Sequence, residues 1–484
     1  MLSKYVILLI GGIVGWILNG LLLFADPVWT DVVCAVLAGG WIAWYFWHRQ
    51  TTHKTNNHLF LVLSFILAYI FVLKLPYDFG MHDLGGYALE SDGHLGYITL
   101  MTHYGRLPTS NPILDGQPIR VHPPLFHIIQ AILFKINTFF GCKWWQAFEL
   151  GQIFSMVCAV ACTLIAYDLL QTLHISEKGK HLGIIYILFQ PILLILGSVL
   201  NNDILSIMCL FSCLLFTIRW NQSRKLCDIL AIALSLGSGM AAKLSSALII
   251  PCIAAVFVIV FFQDLHHCKK YIIQFGLFLL ISVPIAVAWP FYQLIAHDIP
   301  LNYVRIPADE LSVASKSLWQ RFGIPNFELF KRLFYENNPQ TDYNVWLSLL
   351  KTGSFDEFEL FFGGTTMWYI SYLMMAVWAI MIFTSLILFI RWVIQNHKNY
   401  VEVAFLSSYG ILLFAYFMKF YMDYPYVCTA NMRYIAPVLM LGSIGVGYAA
   451  DHLPKTRWLH WMIYLWVALV CMVYGAYFFT NGVF

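Results

Sequence analysis

The chain has 484 residues, 60% of them hydrophobic and only 11% charged. Soluble domains carry about 25% charged residues, so a water-soluble globular protein is excluded and the length divides into membrane spans. The formal net charge of +3 is too small to point to nucleic acid, and the placement of Lys and Arg carries the information instead.

In chain order, apolar runs predict spans over 4–24, 28–47, 58–76, 148–172, 182–200, 204–219, 227–241, 243–263, 271–294, 366–390, 401–419, 433–450 and 460–481. That is an all-α polytopic membrane protein of about thirteen transmembrane helices, each near the ~20 residues a bilayer requires. The first run, "KYVILLIGGIVGWILNGLLLF", is too long for a signal-peptide core and lacks a small-residue cleavage site, so it is expected to stay as a span. Segments 227–241 and 243–263 read as a tight in-and-out hairpin around "GSGMAAK".

Basic clusters punctuate these runs: "WHRQTTHK" at 47–54, "SEKGKH" at 176–181, "RWNQSRK" at 219–225, "HHCKK" at 266–270, "RWVIQNHK" at 391–398 and "PKTRW" at 454–458. The positive-inside rule puts all of them on the cytoplasmic side, with the N-terminus inside and the C-terminus outside. The run 123–141 must then not cross. Its Pro-Pro start, Lys135 and Asn137 suit a helix lying in the outer interface. Two long loops, 77–147 and 295–365, fall on the outer face, and loops of that length tend to be functional. The eleven cysteines mostly sit in apolar segments and read as small buried hydrophobes; Cys142 and Cys428 fall in loops and could pair.

The first outer loop concentrates polar chemistry. His82, Asp83, Glu90, Asp92, His94 and His103 are followed by Arg106, Arg120, His122 and His127. "HDLGG" lets a backbone and a ligand approach closely, and "HPPL" fixes the chain before an amphipathic helix. A carboxylate held beside an apolar surface has a raised pKa, which suits proton abstraction from a hydroxyl. His82, Asp83, Asp92, His94 and His103 also have the ligand types for Zn or Mn, though at no tight motif spacing. Further charges mark the outer ends of spans: Asp203 after Asn201 and Asn202, Lys243 in the "GMAAKLSS" turn, and Arg433 in "CTANMRYIAPVL". An ionisable group at the lipid boundary is costly and usually functional, and Arg is well suited to phosphate. For each residue alone a bland role competes: a solvated loop, a turn signal, or a snorkelling lysine.

In this order of elements the chain resembles the GT-C superfamily of membrane glycosyltransferases, within the branch of protein O-mannosyltransferases and lipid A aminoarabinose transferases. The likeness is carried by "HDLG" at 82–85, "GHLGYI" at 93–98, "LPTSNP" at 107–112, "HPPLFH" at 122–127, "NND" at 201–203, "GSGMAAKLSSALIIP" at 237–251 and "MRYIAPVL" at 432–439. It implies two added N-terminal helices over 1–57, a catalytic membrane core over 58–450, and a C-terminal helix over 451–484. It also implies an inverting transfer from a polyprenyl-phosphate-linked sugar to a glycan, lipid or protein acceptor on the extracytoplasmic face of a membrane, expected to be a bacterial cytoplasmic membrane. Asp83 takes the place of the catalytic base. Many relatives have Asp-Glu where this chain has His82-Asp83-Leu84, so Asp83 acts alone or with Glu90 or Asp92. Arg433 and Lys243 would stabilise the lipid phosphate, assisted by His122 or Arg120, with Asp203 holding substrate hydroxyls or a cation. Tyr434, His82, Glu90, Asp92 and His94 complete the expected substrate-binding set. No cofactor is required by this reading, and a divalent metal stays open. The rival reading is a transporter or flippase for a lipid-linked sugar or anion. It calls for charges deep in the spans and alternating between faces, whereas Asp168 and Asp228 lie near cytoplasmic ends and the polarity is one-sided.

Overall fold

The computed structural model describes residues 2–23, 29–30, 32–34, 36–37, 57–78, 93–105, 107, 122–299, 311–331, 342–356, 365–453 and 456–480. Among these the chain is helical, with no strand and a single isolated bridge between Ser312 and Tyr426. Among the described residues eight helices are long and apolar enough to cross a bilayer, or nine if the bent pair Val427–Tyr434 and Val438–His452 forms one span. The chain is a multi-pass integral membrane protein. The predicted 28–47 span lies largely outside the described residues.

Burial separates central helices from lipid-facing ones. In Trp144–Thr172 89% of the apolar stretch is buried, and in Asn202–Ser223 83%, against 28% in Leu265–His297. The first two form the pillars of the bundle. Trp144–Thr172 packs on Leu2–Leu22, Asn57–Lys74, Leu125–Phe139 and Asn202–Ser223. Outer helices present Leu280, Ile295, Phe383 and Ile411 to their surroundings, which suits lipid and would be unfavourable in water.

Leu125–Phe139 is amphipathic in an inverted sense. Its polar side chains His127, Gln130 and Asn137 are buried, while Ile132, Ile136 and Phe139 face outward. Gln130 Nε2 donates to the Gly151 carbonyl at 3.1 Å, and Asn137 accepts from Trp16 Nε1 at 2.9 Å. At 15 residues it is about 22 Å long, short of the ~30 Å hydrocarbon core.

Three predicted elements are corrected. The 182–200 span is broken into Glu177–Leu188 and Pro191–Leu196. Pro191 has no N–H to continue the first helix, and Gln190 before it is extended (φ −81°, ψ 113°). The buried Gln190 amide covers the break, donating to the Tyr186 carbonyl at 2.8 Å and accepting from Trp378 Nε1 at 2.9 Å. The hairpin around Lys243 does not close on itself. Leu226–Ala242 packs on Asn202–Ser223 and Cys268–His297, whereas Ile250–Gln263, entered through the 3-10 turn Leu244–Ile249, packs chiefly on Tyr400–Asp423. The 433–450 span starts as a helix only at Val438; Arg433 sits before it on the 3-10 turn Met432–Tyr434, and the two segments meet at 43°. Pro437 marks the restart. No disulfide joins Cys142 to Cys428 or any other pair of cysteines among the described residues.

Candidate active site

Two asparagine turns present the central charges. Asn201 caps Asn202–Ser223, its side-chain oxygen accepting the Asp203 N–H at 2.7 Å. Asn431 repeats the device, accepting the Arg433 N–H at 2.9 Å. In both, an Asn side chain bonds the backbone two residues on, a local arrangement these side chains favour. Asp203 therefore lies in the first turn of its helix, where the positive end of the helix dipole favours a carboxylate. Asn202 ties this turn to its neighbour by donating to the Ala242 carbonyl at 2.8 Å, and Ser206 and Ser246 share a hydrogen bond of 2.8 Å one turn further in.

These ties bring Lys243 to the Asp203 carboxylate as a hydrogen-bonded ion pair. Arg433 Nε approaches the other carboxylate oxygen at 3.6 Å. The Tyr434 ring completes the group, with Lys243 Nζ 4.4 Å and Arg433 Cζ 5.3 Å from its centroid. Asp203 and Arg433 are buried and the Lys243 side chain is only 12% exposed. Among the described residues, two cations face this one buried carboxylate. The arrangement can hold a monoanionic oxyanion such as a phosphodiester.

A histidine cluster adjoins it. His94 Nδ1 and His127 Nε2 lie 2.9 Å apart, and the His94 and His122 rings stack at 6.4 Å. The Tyr97 ring stacks on His127 at 3.9 Å while its hydroxyl donates to the His122 carbonyl at 3.0 Å, locking the turn that opens the Leu125–Phe139 helix. Burial pushes the His127 imidazole down to about 3, reinforced by neighbouring His122, so it stays uncharged at neutral pH. His122 is within electrostatic reach of Asp203, which joins the two clusters.

Of the predicted residues, Asp203, Lys243, Arg433 and Tyr434 converge, and His122 and His94 stand beside them. His103 lies on the same helix as His94, His94–Tyr104, with its side chain exposed. Asp83, His82, Glu90, Asp92, Arg106 and Arg120 lie outside the described residues. Among the described residues no group of three or more His, Cys, Asp or Glu side chains is placed to hold a metal ion. Sequence reasoning gave no role to Asn431, whose only signal is the spacing Asn-x-Arg, matching Asn-x-Asp at 201–203.

The opposite end of the bundle carries different groups. Asp203 and Arg219 are about 24 Å apart along one helix, and Arg219 pairs with Asp228 at 3.3 Å among the basic clusters. The ionic chemistry around Asp203 is thus confined to the other end.

The family model for dolichyl-phosphate-mannose-protein mannosyltransferase matches residues 121–289, a stretch that holds His122, His127, Asp203 and Lys243. Two solved structures of ArnT from Cupriavidus metallidurans are similar to the chain. The form bound to undecaprenyl phosphate is 14% identical, with 86% of this chain and 63% of that chain covered and a TM-score of 0.48. The apo form is 13% identical, with 84% and 61% covered and a TM-score of 0.48. The chain spans about three fifths of the length of these structures. No curated protein matches it. The stretch that the family model matches, 121–289, is about a third of the chain and lies within the 58–450 region that the resemblance to GT-C glycosyltransferases marks as the core.

Proposed function

We propose that the protein transfers a sugar from a polyprenyl-phosphate-linked donor to a glycan, lipid or protein acceptor on the extracytoplasmic face of a bacterial cytoplasmic membrane, with inversion at the anomeric carbon. The observation that carries this reading is the convergence of two buried cations, Lys243 and Arg433, on the Asp203 carboxylate. A donor phosphodiester carries one negative charge. Its departure as a lipid phosphate concentrates further charge on the leaving oxygen, which fixed cations stabilise without reorganising. The matched family is itself named for a polyprenyl-type phosphate sugar. The position of the basic clusters at the far end of the bundle supports the outward orientation.

In this mechanism Asp83 removes the proton from the acceptor nucleophile, alone or with Glu90 or Asp92. The nucleophile attacks the anomeric carbon from the face opposite the phosphate, and the carbon–oxygen bond to the lipid phosphate breaks. Lys243 and Arg433 hold the leaving phosphate, with His122 or Arg120 beside it. Asp203 holds both cations apart and in place. The core over 58–450 would supply the catalytic machinery, with the 1–57 helices preceding it and 451–484 closing the bundle.

The test is incubation of purified protein with a panel of polyprenyl-phosphate sugars, with and without chelator, scoring release of the lipid phosphate. Release by the wild type and at least a hundred-fold loss in folded Asp83→Asn are expected, at the scale of ~10²–10⁴ for a general base. Near-wild-type turnover by that variant would overturn the role of Asp83.

A further inference from the structure

The helix Val345–Phe355, from the second long loop, is part of the core. Val345, Lys351, Ser354 and Phe355 are buried, and the helix packs on Pro191–Leu196 and on the Met432–Tyr434 turn. A buried ion pair, Lys351 Nζ to Asp342 Oδ2 at 3.0 Å, anchors its base.

Two hydrogen bonds join it to the arginine turn. The Met432 N–H donates to Thr352 Oγ1 at 2.8 Å, and Asn431 Nδ2 donates to Asp356 Oδ1 at 3.1 Å. The other end of the same Asn431 amide accepts the Arg433 N–H at 2.9 Å. Asn431 is fully buried and Asp356 is 6% exposed. Asp356 also holds φ 56°, ψ −144°, a backbone conformation that side-chain-bearing residues rarely adopt. A strained, buried carboxylate persists only where its surroundings over-determine it, and such positions cluster at functional sites.

The chemistry of the amide explains the carboxylate. An Asn side chain has a donor end and an acceptor end of nearly identical shape and can sit either way round. An ionised carboxylate only accepts and a backbone N–H only donates. Placed on opposite sides of Asn431, Asp356 and the Arg433 N–H allow one orientation. A hydroxyl or amide at position 356 could meet either end of the amide, leaving the Arg433 N–H alone to select the orientation.

We propose that Asp356 is a positioning residue for the donor phosphate: through Asn431 it fixes the backbone of Arg433, so the second long loop sets the phosphate-binding end of the site. This rests on the reading of Arg433 as a phosphate ligand.

The test is a donor–acceptor swap, read as binding of a short-chain polyprenyl phosphate to full-length protein in detergent, with unfolding temperature followed in parallel. Asn431→Asp sets two carboxylates face to face and is expected to weaken binding roughly tenfold, the scale of one lost charge-assisted hydrogen bond. The double variant Asp356→Asn with Asn431→Asp restores a donor opposite an acceptor and keeps an oxygen for the Arg433 N–H. Its affinity should return to within about twofold of wild type. The proposal is overturned if Asn431→Asp binds like wild type, or if the double variant binds no better than the single one. Arg433→Ala separates the two readings: wild-type binding by that variant removes the phosphate role and this proposal with it, whereas loss of binding there without rescue in the swap removes only the role of Asp356.

Discussion

Lys243 lies 4.4 Å from the ring centre of Tyr434 while its ammonium pairs with Asp203. The ring thus acts as a neutral partner that holds the cation without cancelling its charge. Tyr434→Phe keeps that face and should bind polyprenyl phosphate within about twofold of wild type. Tyr434→Leu removes it and should weaken binding several-fold, in line with about 0.5–2 kcal/mol for a cation over an aromatic face. Titration of lipid phosphate into each purified variant checks both.

Asp203→Asn leaves two buried cations facing each other. Breaking a buried pair on one side costs about 3–5 kcal/mol, so the variant should unfold at a markedly lower temperature in detergent. Lys243→Met leaves Asp203 with Arg433 and should cost less. Added polyprenyl phosphate should raise the unfolding temperature of Asp203→Asn more than that of wild type, because the ligand then supplies the missing anion. Equal unfolding temperatures for the two variants would contradict this ordering.

His127 gives a pH dependence with a definite sign. Its imidazole is held down to about 3 in the folded protein, against an ordinary value near ~6.5 when unfolded. Between these values the unfolded chain takes up the proton and the folded protein does not. Stability from this site is therefore complete above pH ~6.5 and falls on acidification towards 3, by up to about 1.4 kcal/mol per pH unit. His127→Gln should flatten the slope of unfolding temperature against pH between 7.5 and 5. An unchanged slope would show that another group sets it.

Gly445 sits at a close approach of Thr365–Gln395 to Val438–His452. A Cβ there would lie 2.4 Å from the Phe389 nitrogen and 2.5 Å from the Ser385 oxygen, both backbone atoms that cannot swing aside. Gly445→Ala should destabilise by about 1–3 kcal/mol, the cost of overpacking. Gly475→Ala, with nothing within 4 Å of the added carbon, should unfold like wild type. Thermal unfolding of the pair in one detergent decides the point.

Asp203, Lys243 and Arg433 were legible in the sequence because a charge at the end of an apolar run has few bland explanations. Their convergence was legible only as a shared membrane face. The three-dimensional group depends on Asn202 reaching Ala242 and on Arg433 reaching Asp203 across 230 residues of chain. Asn431, Thr352 and Asp356 were not legible. Their polar atoms acquire a role only through contacts between two distant segments, and an Asn or Thr near a span end is ordinary. The break at Gln190–Pro191 had a local signal, a proline inside an apolar run, that averaging over the run conceals. Asp83 rests on the resemblance and lies outside the described residues.

The distance in sequence between Asp203 and Arg433 also sets an order of assembly. During synthesis, Asp203 and Lys243 emerge only forty residues apart and can neutralise each other as soon as their helices meet, so the nascent protein enters the bilayer with that site electrically balanced. Arg433 follows some two hundred residues later, on a turn that docks against the helix Val345–Phe355. The second cation of the site is therefore absent until nearly the whole chain has been made. A half-built bundle is spared a second buried cation, and spared a premature ligand.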